Sequence, residues 1–194
     1  IMASLLQWNC RGLRANFNEL LILIQNHNPV AIARQELAIP HSYSFQNRHY
    51  SLFSSLPPPS GTRSHGGAGI LIRRNIPHSP LPLNNSLQAV ACRISIPQPI
   101  TVCSIYLPPT SSWTETDLLN LVSQLPPPVL LLGDFNAHNS LWGCSSTDGK
   151  GQEIADFLLS SSMCLLNNKQ STYIHPATGT SSSIDLALVH PSLF

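Results

Sequence analysis

Acidic residues are scarce in this chain, and three of them stand where strands are expected. The 194 residues include only 9 Asp or Glu. Glu36, Asp134 and Asp185 each lie within or at the end of an apolar run. A buried carboxylate without a partner is unfavourable, whereas carboxylates that converge at strand ends often hold a hard divalent cation. The three residues are therefore candidates for a metal-dependent site, and the alternative is that each only caps a turn.

Two asparagines occupy comparable positions and extend this candidate site. Asn9 ends the apolar run at residues 5–9, and Asn136 follows the run at residues 129–132 in the segment Gly-Asp-Phe-Asn. An amide side chain offers both an oxygen and an N–H group. We therefore expect these residues to add neutral donors and acceptors beside the carboxylates.

The elements that must position these residues are short strands interleaved with helices. Apolar residues at helical spacing after Asn16 predict a first helix that Pro29 ends, and Asn16 with Glu19 resembles a capping box. Val90, Cys92, Ile94 and Ile96 alternate, which predicts a strand with one buried face. This order favours an α/β sandwich of two packed sheets. The predicted strands are 5–9, 30–33, 50–54, 69–73, 87–96, 100–106, 129–132, 164–167 and 184–189, the other predicted helices are 114–125 and 152–160, and the Pro-, Ser- and Gly-rich stretch 54–67 is interpreted as a surface loop.

Charge is divided unevenly along the chain. Residues 1–95 hold eight arginines and two glutamates, which gives +6, and residues 96–194 hold two lysines and seven acids, which gives −5. This division is typical of a basic surface for a polyanion beside an acidic metal pocket, and it also fits a chance distribution over one mixed surface.

The cysteines and the apolar runs exclude other classes of protein. The five cysteines are odd in number and contain no Cys-x-x-Cys pair, which indicates reduced thiols of an intracellular protein rather than a disulfide framework or a zinc site. The apolar runs are far shorter than the roughly 18 residues that a membrane-spanning helix needs. We therefore predict no membrane association.

Five motifs occur in an order that matches a known family. They are W-N-C-R-G-L (8–13), Q-E (35–36), I-Y-L-P-P (105–109), G-D-F-N-A-H-N-S-L-W-G (133–143) and S-I-D-L-A-L (183–188). The chain resembles the endonuclease/exonuclease/phosphatase superfamily of Mg²⁺-dependent phosphodiesterases. The segments N-A-H-N-S-L-W-G and 172–188 resemble the apurinic-type endonuclease domains of jockey-like non-LTR retrotransposons. The resemblance implies a single domain over residues 1–194, built as a four-layered α/β sandwich with two mixed β-sheets packed face to face and flanked by helices.

The resemblance also implies a role for each matching position. Glu36 would be the principal metal ligand with Asn9 beside it, and Mg²⁺ is the expected ion, with Mn²⁺ as the alternative. Four residues would be catalytic. Tyr106 would contact the scissile phosphate, and Asp134 would position or deprotonate the attacking water. Asn136 would orient the water and the phosphate, and Asp185 would orient a histidine. Arg11 and Thr172 would contact DNA.

The implied function is DNA nicking that leaves a 3′-hydroxyl to prime reverse transcription. The expected partners are DNA, a downstream reverse transcriptase domain and the element's RNA, and the expected location is the nucleus. Arg11 stands where abasic-site repair enzymes of the superfamily carry an acidic residue, which argues against a repair role. A phosphodiesterase acting on abasic DNA or another phosphoester, and an inactive remnant that binds nucleic acid, remain the alternatives.

One departure from the family pattern concerns the histidine expected beside Asp185. Members of the superfamily carry an S-D-H block after that position, and residues 186–194 contain none. We therefore expect a truncated domain with reduced activity. His138 belongs to the N-A-H-N motif and is interpreted as structural or as facing the substrate.

Overall fold

Two mixed β-sheets face each other in the computed structural model, which describes residues 3–59, 64–175 and 177–193. The first sheet has the order β1-β2-β4-β3 and the second the order β5-β6-β7-β8-β12-β9, while β10 and β11 form a separate pair. The strands are β1 (Leu5–Asn9), β2 (Ala31–Gln35), β3 (Tyr50–Ser55), β4 (Ala68–Arg73), β5 (His78–Leu81), β6 (Gln88–Ser95), β7 (Pro99–Tyr106), β8 (Val129–Asp134), β9 (Cys164–Leu165), β10 (Tyr173–Ile174), β11 (Ser181–Ser182) and β12 (Asp185–Val189).

Helices cover the outer face of each sheet. They are α1 (Phe17–His27), α2 (Glu115–Ser123) and α3 (Gly149–Ser160), with short 3₁₀ turns at Ser140–Trp142 and Pro191–Leu193. Within the described ranges, no helix is long and apolar enough to cross a membrane.

Three apolar clusters hold these layers together. The first contains Leu20 of α1 and Ile32 of β2, and the second contains Ala33 of β2 and Val102 of β7. The third joins the far face of the second sheet to α2 and α3 and contains Trp142, which is fully buried. The order helix, sheet, sheet, helices confirms the predicted four-layered sandwich.

The strand register decides where the polar side chains meet. Asn9 pairs with Gln35 in the parallel ladder of β1 and β2, so Glu36 follows directly beside Asn9. In the second sheet, Asp134 has two register partners, Tyr106 on β7 and Asp185 on β12. Five of the predicted site residues therefore lie at or directly after the ends of strands.

The predicted capping box at the start of α1 is wrong. Asn16 makes no side-chain hydrogen bond to the helix, and its Nδ2 instead donates to the Cys10 carbonyl oxygen at 2.6 Å. Glu19 lies on the wall of a large cleft. Asn16 therefore bonds the loop between β1 and α1 instead of capping the helix.

The face predicted to be buried in residues 87–96 is buried, and the opposite face is covered as well. Cys92 and Ile94 pack between the sheets, while Ala89 and Ala91 pack against the helix layer on the other side. The alternation of large residues is visible in the sequence, but alanines can also form a close-packed surface beneath helices. Strand β6 is therefore buried on both sides.

The sequence patterns do not predict three of the short strands, and they predict a fourth as too long. Strands β5, β10 and β11 are not predicted, and β9 ends at Leu165 instead of residue 167. Asn167 leaves the ladder because its side chain donates to the Asp185 carbonyl oxygen and accepts from the Ala187 amide, both at 2.9 Å. Residues 60–63 of the predicted surface loop lie outside the described residues.

Candidate active site

The predicted site residues converge on one open cleft of about 1420 Å³ where the two sheets meet. The residues of the prediction that line it are Asn9, Arg11, Glu36, Asp134, Asn136, Thr172 and Asp185. Tyr106 is 7% exposed and pairs with Asp134 in the ladder of β7 and β8, and the charges of Glu36 and Asp134 add to the burial that raises its pKa. The structure thus brings together all eight residues, and their catalytic, DNA-binding and metal-binding roles remain predictions.

One asparagine joins the two sheets at the cleft. The Nδ2 atom of Asn9 donates to Glu36 Oε1 at 2.8 Å and to Asp134 Oδ2 at 2.7 Å. Its Oδ1 accepts the backbone N–H of Arg11 at 3.1 Å. The amide is therefore fixed in orientation, and it holds carboxylates from different sheets at a defined separation.

Three site residues have left-handed backbone conformations. The φ angles are +43° at Arg11, +52° at Glu36 and +47° at Asn136. Non-glycine residues rarely adopt this region, and such conformations concentrate at functional sites because the surrounding structure must enforce them. Here the Gly12 amide donates to the Glu36 carbonyl oxygen at 2.8 Å, which ties the two strained loops together.

Asp134 is the most deeply buried acid of the cleft, at 2% exposure. Burial, and then the negative charge of Asp185, raise the pKa of Asp134 to about 7, while hydrogen bonds from Asn9 and the Asn136 amide act against that rise. Its Oδ1 accepts the Asn136 N–H at 3.0 Å. Both carboxylate oxygens are thus held by donors of the cleft.

The neighbouring carboxylates also raise the pKa values of Asp185 and Tyr106. Burial and the charge of Glu36 raise the pKa of Asp185, while the Thr172 hydroxyl and Arg11 act against the rise. Burial raises the pKa of Tyr106 as well, and the charges of Glu36 and Asp134 add to it. The Oδ1 atom of Asp185 is buried, and no residue in the described ranges donates a hydrogen bond to it.

The two predicted DNA contacts occupy the rim. Thr172 is exposed, and its hydroxyl oxygen accepts the backbone amides of Ile184 at 3.2 Å and Asp185 at 3.1 Å. The guanidinium of Arg11 lies over the ring of Tyr173, 5.0 Å from its centroid. Tyr173 thus joins the cleft through a cation–π contact, which sequence reasoning missed because a two-residue strand carries no periodic pattern.

The donor set fits a hydrated metal ion rather than a closed protein cage. Over residues 3–59, 64–175 and 177–193, no three His, Cys, Asp or Glu side chains are placed to hold a metal by themselves. Mg²⁺ usually keeps several waters and binds one or two carboxylates together with substrate phosphates. The Glu36 carboxylate with the Asn9 amide is a set of this kind. The charges of Asp185 and Glu36 raise the pKa of Asp134, the charge of Glu36 raises that of Asp185, and a cation would relieve this repulsion.

Comparisons with known proteins point to the same family. Residues 100–194 match the model of the family described as "Endonuclease-reverse transcriptase". The chain is 24% identical over 188 residues to the probable RNA-directed DNA polymerase from transposon X-element of Drosophila melanogaster, covering 95% of this chain and 21% of that protein. It is 25% identical over 187 residues to the RNA-directed DNA polymerase from mobile element jockey of Drosophila funebris, covering 94% of this chain and 20% of that protein. The chain thus spans about a fifth of the length of the curated relatives it matches.

Solved structures share the fold. The endonuclease domain of TRAS1, a telomere-specific non-LTR retrotransposon, superimposes with a TM-score of 0.78 at 21% identity, covering 98% of this chain and 86% of that one. The 3′-5′ exonuclease NExo from Neisseria meningitidis superimposes with a TM-score of 0.73 at 16% identity, covering 96% and 86% of the two chains. The family match over residues 100–194, the relatives and the shared fold support the resemblance of this chain to the non-LTR retrotransposon endonucleases of the endonuclease/exonuclease/phosphatase superfamily.

Proposed function

We propose that this domain nicks DNA in a Mg²⁺-dependent reaction and leaves a 3′-hydroxyl from which reverse transcription starts. The observation that carries the proposal is the convergence of Glu36 and Asn9 from one sheet with Asp134 and Asp185 from the other on a single cleft. Phosphodiester hydrolysis needs an oriented water, an anchored phosphate and neutralisation of developing charge. The cleft offers side chains for each of these tasks.

Asp134 and Asn136 are placed to orient the attacking water and to accept its proton. Asn9 and the Asn136 amide fix the Asp134 carboxylate, so it can accept a proton from a water in the cleft without reorienting. The Asn136 side chain donates to the Leu107 carbonyl oxygen at 3.1 Å, which leaves its Oδ1 to accept from that water. A general base positioned in this way contributes about 10²–10⁴-fold to a rate.

The phosphate would be bound and its charge neutralised by Glu36, Asn9 and Tyr106. Glu36 and Asn9 would hold the cation, and a bound Mg²⁺ supplies charge neutralisation at the phosphate oxygens. Burial and the charges of Glu36 and Asp134 raise the pKa of Tyr106, so its hydroxyl stays protonated and can donate to a phosphate oxygen. Arg11 at the rim adds a cation toward the same polyanion.

Asp185 would orient a histidine, as the resemblance implies. Its buried Oδ1 is the atom that such a histidine would contact. We include in the proposal a downstream segment carrying this histidine, a downstream reverse transcriptase domain, the element's RNA as a partner, and a nuclear location. The names of the curated relatives, which are RNA-directed DNA polymerases from transposons, support the reverse transcriptase.

The test is nicking of supercoiled plasmid with Mg²⁺, with Mn²⁺ and with EDTA. We expect nicked circles with either metal and none with EDTA, and a DNA polymerase should extend the nicks directly because each ends in a 3′-hydroxyl. Glu36→Gln should abolish nicking. The matched control is Asp156→Asn, which removes a carboxylate bonded to Gln152 on the surface of α3 and should leave nicking unchanged.

Two other outcomes of this test would support the alternative functions. Cleavage confined to plasmid that carries abasic sites would replace the proposal with a repair-type phosphodiesterase. Metal-independent binding without any nicking, in the chain and in a version extended by a family S-D-H block, would favour the inactive remnant.

A further inference from the structure

His138 lies on the wall of the cleft and has no part in the roles described above. Its side chain is 42% exposed and lines the same cleft as Asp134 and Asn136. Its Nδ1 lies 3.1 Å from Asp148 Oδ2. Because an ionised carboxylate only accepts hydrogen bonds, the proton of this contact sits on Nδ1. The other ring nitrogen, Nε2, has no hydrogen-bond partner in the described part of the chain.

The backbone that carries His138 is locked against the start of α3. The Asp148 amide donates to the His138 carbonyl oxygen at 3.0 Å, and Asn139 Nδ2 donates to the Gly151 carbonyl oxygen at 3.1 Å. A Cβ at Gly151 would overlap the His138 carbonyl oxygen, so only glycine permits this approach. The position of the imidazole is therefore set by the fold and not by its exposed surroundings.

Asp148 uses its two carboxylate oxygens for different purposes. Oδ1 accepts the Gly151 amide at 2.6 Å and caps α3, while Oδ2 faces His138. Burial acts against ionisation, but the hydrogen bonds from Gly151 and His138 outweigh it and lower the pKa of Asp148. The helix cap is complete with Oδ1 alone. The contact with His138 therefore orients the imidazole, with Nδ1 toward Asp148 and Nε2 toward the cleft.

We propose that His138, oriented by Asp148, contacts through Nε2 a phosphate of the DNA strand that lies in the cleft. An imidazolium between the Asp148 carboxylate and a phosphate is stabilised from both sides, and its two N–H groups match two acceptors. The inference rests on the proposed function, because it requires a nucleic acid strand in this cleft. It assigns to the His of N-A-H-N a substrate contact two residues beyond Asn136.

The test measures affinity for a short duplex DNA against salt concentration in EDTA at pH 6.0, below the ordinary imidazole pKa of about 6.5. His138→Ala should weaken binding and make the slope of log K against log salt shallower by about 0.9, the contribution of one neutralised phosphate. His138→Gln, which keeps the size but cannot carry charge, should do the same and covers the case in which His138→Ala folds poorly.

Two further variants separate this role from a structural one. Asp148→Ser keeps a residue suited to the helix cap but removes the charge behind the imidazole, so it should shift the slope in the same direction. His49→Ala removes an exposed imidazole outside the cleft and should leave the slope unchanged. In nicking assays, His138→Ala should raise KM while kcat stays close to that of the parent chain.

The outcomes for the two proposals can be told apart. A slope and affinity unchanged in both His138 variants would overturn the role of His138, whatever the parent chain does in nicking assays. A chain that binds duplex DNA with the expected slopes but does not nick, either alone or extended by a family S-D-H block, would support the phosphate contact and refute the endonuclease activity. A chain that does not bind duplex DNA would refute both.

Discussion

Asn9 shows how one residue can serve both structure and chemistry in this domain. A single NH₂ group bonds Glu36 and Asp134, which come from different sheets and repel each other. The position of each residue at a strand end is visible in the sequence, and so is the scarcity of acids elsewhere. The bridging hydrogen bonds are not visible there, because they depend on how the two sheets are placed against each other.

The first residue-scale prediction concerns Asp134→Asn. In EDTA at pH 7.5 we expect the variant to be more stable than the parent chain by about 1–3 kcal/mol, because it removes a charge that is buried without a cation. Nicking should fall by at least about 10²-fold, because the group that accepts the proton of the water is lost. Urea unfolding measures the first effect and plasmid nicking the second.

Asp156→Asn is the control for that prediction, because it removes a surface carboxylate bonded only to Gln152 in the described residues. Its free energy of unfolding should change by no more than about 0.5 kcal/mol. If Asp134→Asn is less stable than the parent chain in EDTA, the hydrogen bonds from Asn9 and the Asn136 amide stabilise the carboxylate by more than its burial and the neighbouring charges destabilise it.

The second residue-scale prediction concerns the buried thiols. Burial raises the pKa of Cys92 to about 12 and raises that of Cys103 as well. Their protonated form is the one favoured by the fold, so this contribution to stability is complete at neutral pH and is lost as pH rises from about 9 toward 12. With a thiol reagent at pH 8, Cys164, which is partly exposed, should react in the native chain.

The comparison for that prediction is the same reaction in denaturant, where all five thiols should react. Rapid labelling of Cys92 or Cys103 in the folded chain would contradict the burial of β6 and β7 between the layers.

At the scale of the element, the ends of the longer strands can be predicted from the sequence, whereas the two-residue strands cannot. The runs that became β1, β2, β7, β8 and β12 are long enough to carry apolar patterns, so the candidate site could be assembled from their ends. The β10–β11 pair, which places Tyr173 beside Arg11, has only two residues in each strand. Strands of two residues carry no periodic pattern, so neither this pair nor the contact of Tyr173 with Arg11 is visible in the sequence.

The element-scale prediction concerns Gly133, one residue before Asp134 in β8. A Cβ there would overlap the carbonyl oxygen and the side chain of Ile105 on the neighbouring strand. Gly133→Ala should therefore lower the free energy of unfolding by about 1–3 kcal/mol, as overpacking does. Because the strand must shift, nicking should also fall, by up to about 10²-fold for a displacement of 1 Å.

Gly149→Ala is the matched control, since a Cβ at the first residue of α3 meets nothing within 4 Å. It should leave nicking unchanged and add about 0.5–1 kcal/mol of stability, the ordinary difference between alanine and glycine in a helix. Equal stability of the two variants would mean that β7 and β8 separate more easily than their packing indicates.

At the scale of the whole molecule, the layered fold was predictable and the distribution of usable charge was not. The eight arginines of residues 1–95 suggest a basic surface, but Arg34 is fully buried over the ring of Trp8. Arg93 donates to the carbonyl oxygens of Pro126 and Pro127, and Arg73 donates to Asn28. Arg63 lies outside the described residues. The number of arginines can be read from the sequence, but which of them remain free to bind DNA depends on the packing of the folded chain.

The last prediction follows from that distribution and concerns the salt dependence of DNA binding. Eight arginine–phosphate contacts would give a slope of log K against log salt of about −7 on duplex DNA. Among the arginines that the structure describes, Arg11 is the one that lines the cleft, and His138 is the second cation we assign there. We therefore expect a slope no steeper than about −3, because each neutralised phosphate contributes about −0.9. Fluorescence anisotropy across a range of salt concentrations measures this slope.

Two arginine variants locate the contacts. Arg11→Gln should make the slope shallower by about 0.9, because it removes one phosphate contact and leaves the other cleft residues in place. Arg48→Gln should leave the slope unchanged, because Arg48 is exposed beside Phe17 and Phe45 on the face of α1, outside the cleft. A slope near −7, or equal effects of the two variants, would show that DNA follows the basic half of the chain as a broad surface. The cleft at the junction of the two sheets would then be only one part of the binding site.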